Sequence, residues 1–142
     1  MIYWDWVPRE RVGPFRFGCP AGITIKQFGL FMIEKDIPSA YWETYAIPGY
    51  ESRIMVEESR ITGVLCCDEL LYKSNNLIGF PFQWMPAELG LGYSFEPNVG
   101  LGCAIHYDCM GATFWIVDNL VQSVTCEGRE NGDAVSDREN NT

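Results

Sequence analysis

The single histidine of this 142-residue chain, His106, stands in the run Cys103-Ala104-Ile105-His106-Tyr107-Asp108-Cys109. A thiol next to an imidazole is the minimal kit for nucleophilic catalysis, because the ring can take the thiol proton. The spacing speaks against that use. On a strand, residues three apart face opposite sides, which separates Cys103 from His106. Asp108 and Cys109 fall beyond a turn. The same four residues could be offered to a metal, but zinc ligands come as paired knuckles with a distant second pair, and no second pair exists. Gly90-Gly92 and Gly100-Gly102 form no phosphate-binding loop, no Gly-Lys-Ser/Thr follows them, and no serine sits in a nucleophile elbow. The residues therefore point to a non-enzymatic protein with no catalytic residue, metal or cofactor. A small hydrolase pairing Cys103 or Cys109 with His106 stands as the alternative.

The remaining chemistry is charge and aromaticity. The net charge is −9, with a pI near 4.5. Such a surface repels nucleic-acid phosphates and anionic membranes and favours a basic protein. Asp36, Glu43, Glu51, Asp68 and Glu69 flank Tyr41, Trp42, Tyr45, Tyr50 and Tyr72. Aromatic anchors inside an acidic rim suit a protein interface, and opposite charges speed the encounter. These ten residues are the candidate partner-binding set. The adjacent acids Glu57-Glu58 read as a solvated hairpin corner. The six cysteines read mostly as small apolar residues, since nothing at the start of the sequence resembles a secretion signal that would favour disulfides. No apolar run approaches the ~20 residues needed to span a bilayer, so a cytoplasmic protein is expected.

The elements that must position these residues are mainly strands. Ile54 to Cys67 alternates apolar and polar about a Glu57-Glu58-Ser59 corner. Trp115 to Cys126 repeats that pattern about Asp118-Asn119, with one residue fewer at the corner. Such alternation with a polar corner marks a hairpin. Gly13 to Ala21 is answered by Phe80 to Glu88, with Pro14-Phe15 matching Pro81-Phe82. The expected fold is thus α+β, mainly antiparallel β-sheet with short helices, in two pseudo-repeat units (about 12–67 and 78–126) sharing one core. Helices are expected over Ile23–Glu34 and from Pro86 to Leu89, strands over Ala40–Ile47 and Leu101–Tyr107, and a loop over Tyr93–Val99. Tyr3, Trp4 and Trp6 form either an edge strand or an exposed arm. Residues 1–126 make one domain. Residues 127–142, acidic and nearly without apolar side chains, make a mobile tail.

A Gly-x-Phe-x-Phe-Gly start (Gly13 to Gly18), a short helix, and a sheet whose strands end in Val-x-Cys (Val64-Leu65-Cys66 and Val124-Thr125-Cys126) resemble small bacterial immunity proteins. The tandem arrangement also resembles the β-lactamase-inhibitor architecture. Gly18-Cys19 stands where such domains carry Gly-Met. The resemblance implies a protein that neutralises a co-produced antibacterial toxin by presenting a sheet to it and occluding its active site. An acidic phage-type inhibitor of a nucleic-acid-binding protein is the further alternative.

Overall fold

The computed structural model describes residues 1–35, 42–85, 89 and 92–128. Its main body is an eight-stranded antiparallel sheet. The strands are β4 (Phe31–Lys35), β5 (Trp42–Ala46), β6 (Arg53–Glu57), β7 (Arg60–Cys66), β10 (Ser94–Val99), β11 (Gly102–Tyr107), β12 (Ala112–Val117) and β13 (Leu120–Glu127). Their order is β10-β11-β12-β13-β7-β6-β5-β4. Two meanders thus lie side by side, joined through the last strand of each.

The hairpins form where alternation demanded them. Ile54, Val56, Val64 and Cys66 are buried, and so are Phe114, Ile116, Val124 and Cys126. Each corner has two central residues, both with positive φ: Glu58 (48°) and Ser59 (65°), Asp118 (52°) and Asn119 (64°). That primed geometry matches the right-handed twist of the flanking strands. The corners are equally long, so the two hairpins correspond without the one-residue deletion read from the sequence. Ile54 corresponds to Phe114, not to Trp115.

The correspondence runs through the sheet. In β5–β6, Tyr45 lies opposite Ile54; 60 residues on, Ile105 lies opposite Phe114. Both hairpins carry a bulge at the same place, between Met55 and Val56 and between Trp115 and Ile116. At the central junction Cys126 pairs with Val64 and Val124 with Cys66. Gly18 donates its N–H to the Ile61 carbonyl at 2.7 Å, and Gly79 to that of Val121 at 2.7 Å. Ala21 likewise donates to Ser59, and Phe82 to Asn119, both at 2.9 Å. Pro81 therefore matches Pro20, a different alignment from the Pro14–Pro81 match of the sequence.

One face of the sheet carries the core. Over it pack the small sheet β1 (Trp6–Val7), β2 (Arg11–Val12), β3 (Phe15–Arg16), helix α1 (Ala21–Phe28) and the ribbon β8 (Leu71–Tyr72)–β9 (Asn75–Asn76). The N-terminal segment is a plug, not an arm. Trp4 and Trp6 are buried while Tyr3, just before them, is exposed. Trp4 meets Phe15 and Tyr50, and Trp6 meets Tyr72 and Phe114.

Two expectations fail at the edges. The helix expected over 23–34 ends at Phe28, because Gly29 takes the left-handed C-cap conformation at φ 63° and starts the chain off in a new direction. Residues 31–35 are instead edge strand β4, exposed along its length. The loop expected over 93–99 contains edge strand β10. Pro97 is tolerated there because an edge strand can leave one side of its ladder unpaired, and the register shifts between Glu96 and Val99. The helix expected from Pro86 falls largely outside the described residues; a 3-10 turn over Phe82–Trp84 precedes it. No described helix is long and apolar enough to cross a membrane.

The core holds two buried polar atoms without a partner among the described residues, Trp6 Nε1 and Tyr107 Oη. Burial pushes the Tyr107 phenol up to about 12. A buried hydroxyl that makes no hydrogen bond costs about 1–3 kcal/mol of desolvation. Tyr107→Phe should therefore unfold in urea at the wild-type midpoint or above it. A midpoint lowered by more than ~1 kcal/mol equivalent would mean that the hydroxyl has a partner.

Candidate protein-binding face

Among the described residues no element packs over the second face of the main sheet. Along β6, β12 and β13 the residues alternating with the core set are half-exposed or exposed. Cross-strand pairing places on this face Trp42 opposite Glu57, Thr44 opposite Met55, Ala104 opposite Trp115 and His106 opposite Thr113. Trp115 is tied to the neighbouring strand by an Nε1–H bond to Thr125 Oγ1 at 3.0 Å.

A depression of about 530 Å³ opens on this face. Its floor is Gly63. A Cβ there would fall 2.6 Å from Met55 Cε, 3.0 Å from the Cys126 carbonyl oxygen and 3.4 Å from Glu127 Cγ. The missing side chain is what lets Met55 and Glu127 lie low across the strand. Trp42, Glu43, Thr44, Glu57 and Thr62 line the rest, and among the described residues no basic one lines it. Arg60, opposite Glu57 in the register, gives its guanidinium to the Gly18 carbonyl at 2.6 Å.

The eight described sequence candidates do not form one surface. Trp42 and Glu43 line the depression. Tyr45 lies on the core side of β5, opposite Ile54, and its hydroxyl donates to Glu43 Oε1 at 3.1 Å. Burial, then Glu43, raise its pKa. Tyr50 packs edge-on against Trp4 at 5.4 Å and accepts the Ile2 N–H. Tyr72 packs against Trp6 at 5.3 Å. These three tyrosines are partly buried and pack against the core.

Asp68 does structural work. It accepts the Ser52 hydroxyl at 2.6 Å, the Ser52 N–H at 2.8 Å and the Glu51 N–H at 3.1 Å. Ser52 is fully buried and in turn accepts the Cys67 N–H at 2.9 Å. Burial pushes the Asp68 carboxyl up, but the hydrogen bonds from Ser52 and Glu51 outweigh it, and its pKa lies below the ordinary value. Glu51 contributes its backbone to this clasp, and Glu69 is half-buried next to it. Asp36 and Tyr41 lie outside the described residues. Sequence reasoning missed Met55, Glu57, Thr62 and Gly63. The glycine inside an otherwise regular strand was the available signal, since it marks a close approach.

The histidine is engaged elsewhere than the cysteines. His106 Nε2 meets Glu96 Oε1 at 2.9 Å and Nδ1 meets Thr113 Oγ1 at 3.1 Å. Cys103, opposite Ile116, belongs to the other face. Cys109 lies in the 3-10 turn over Asp108–Met110. The pairings drawn from the sequence for a thiol–imidazole couple are thus not made. Among the described residues no group of three His, Cys, Asp or Glu could hold a metal. Comparison of the chain with protein-family models, curated proteins and solved structures gives no match.

Proposed function

We propose that this is a non-enzymatic binding protein that seats a basic protein on its open sheet face. Following the resemblance to immunity proteins, we take that partner to be an antibacterial toxin domain whose active site is occluded. The observation that carries the proposal is a face of an eight-stranded sheet over which no described element packs, with Trp42 and Trp115 half-exposed on it. A net charge of −9 supports a basic partner, because opposite potentials raise association rates. A wide, twisted sheet offers a rigid platform, so little ordering cost opposes binding. The repeated register, the matched bulges and the two Gly-x-Pro segments support a duplicated scaffold of two pseudo-repeat units, with one core between the strands and the covering layer. A duplicated scaffold yields a platform twice as wide as one meander could supply.

The test is co-purification with the product of the gene adjacent to its own, followed by binding kinetics. The expected result is a one-to-one complex that blocks the partner's activity. Trp42→Ala should raise the dissociation rate at least tenfold, as removal of a central aromatic anchor does. Glu43→Lys with Glu57→Lys should slow association, more so at low salt. His106→Ala should leave inhibition intact. Loss of biological activity in His106→Ala, with the fold preserved, would instead favour the hydrolase reading.

A further inference from the structure

We propose that the depression over Gly63 is an arginine-binding site, in which Trp42 stacks on a guanidinium and Glu57 pairs with it. The inference rests on the protein-binding reading and names what that partner inserts: one arginine side chain projecting from its surface. Three observations converge. The space, about 530 Å³, admits a long side chain. Trp42 and Glu57 stand directly opposite one another on neighbouring strands, an indole face beside a carboxylate. A guanidinium is the group that uses both, being planar, permanently charged and weakly hydrated. Glu57 has no ion pair among the described residues, because Arg60 is bound to Gly18. Arg53, on the same face, stands opposite Leu65 at the far end of the strand pair.

The corresponding place 60 residues on makes the contrast. There the register puts Gly102 for Trp42, Val117 for Glu57, Trp115 for Met55 and Ser123 for Gly63. The carboxylate is gone, the floor carries a side chain, and Trp115 lies over the strand tied to Thr125. The scaffold occurs twice but the site once. Scaffold geometry alone therefore does not account for an aromatic, a carboxylate and a bare floor at one spot.

The experiment uses the full chain and N-acetyl-L-arginine amide as probe, followed by the Trp42 indole N–H resonance. The expected result is a saturable shift at Trp42 that N-acetyl-L-citrulline amide, neutral but of the same shape, does not produce. Glu57→Gln should weaken binding at least about fivefold, and Trp42→Ala, followed by titration calorimetry because it lacks the reporting indole, should abolish it. Gly63→Val, which raises the floor and displaces Met55, should do the same while the Trp4 and Trp6 indole resonances of the core keep their positions. Absence of a saturable shift, or equal shifts with citrulline, overturns the proposal. So does a displaced Trp42 resonance in Arg129→Gln/Arg138→Gln without probe, since the chain's own arginine would then be the occupant. Partner binding that survives Glu57→Gln and Gly63→Val unchanged removes this site but leaves the sheet-face reading standing. A functional arginine site with no basic partner does the reverse.

Discussion

Trp4→Ala should lower the unfolding free energy by about 3–5 kcal/mol, the range for emptying a large aromatic from a core. Trp4 is 2% exposed, with its ring 6.0 Å from Phe15 and 5.4 Å from Tyr50. Deletion removes apolar burial and two aromatic contacts together. It also unseats the strap that carries Tyr50 and, through the Leu71 N–H bond to the Trp4 carbonyl at 2.8 Å, the β8–β9 ribbon. Against a typical total of about 5–15 kcal/mol, that is a large share. Tyr3→Ala, one residue away but 66% exposed, should change stability by no more than about 0.5 kcal/mol. Urea denaturation of the two variants checks the pair. If both cost the same, the N-terminal segment is not the plug described above.

Asp68→Ala should cost about 1–3 kcal/mol, by leaving the buried Ser52 hydroxyl and N–H without their acceptor. Asp68 itself reaches the surface, so water can replace it at Glu51 but not at Ser52. The pH dependence follows from its depressed pKa. A carboxylate held below its ordinary 3.8 contributes stability that is fully present above that value. The contribution is lost as pH falls through the lower folded-state pKa. Wild type should therefore lose stability in acid more steeply than Asp68→Ala, and the two denaturation curves should converge at low pH. Parallel curves from neutrality into acid would mean that the carboxylate charge contributes nothing. Asp68→Asn keeps one acceptor oxygen and should fall between the two.

These two residues also show what was legible in the sequence. The hairpins were, since Ile54/Val56 and Phe114/Ile116 alternate about polar corners that two-residue turns require. The edge strands were not. β4, Phe31 to Lys35, is exposed on both sides and so has no alternation to read, and three apolar residues in a row imitate a helical stripe. Gly29 was the stop signal. Pro97 made β10 look like a loop because a proline is excluded only where a ladder needs its N–H. The packing role of the aromatic set was illegible for a different reason. Tyr45, Tyr50 and Tyr72 have apolar rings and polar tips, and only the three-dimensional position of Trp4, Trp6 and Glu43 decides which end meets water. Asp68 resembled a rim acid because its partners, the buried Ser52 hydroxyl and the N–H groups of Ser52 and Glu51, lie 16 and 17 residues away, where no local pattern records them. Of the eight described candidates only Trp42 and Glu43 line the depression, and the glycine beneath them reads in the sequence as part of an ordinary strand.

The order of strands has a consequence for synthesis. The pair at the centre of the sheet, β7 with β13, joins residues about 60 positions apart, Val64 with Cys126. During translation the first meander is made with β7 as a bare edge, and its partner emerges roughly 3–12 s later at usual elongation rates. For that interval the inner margin of the future sheet is an unsatisfied template carrying Val64 and Cys66. A ribosome stalled before Leu120 should hold a nascent chain that recruits chaperones or pairs with its neighbours on the polysome. Release of the last strand should end that exposure in a single step.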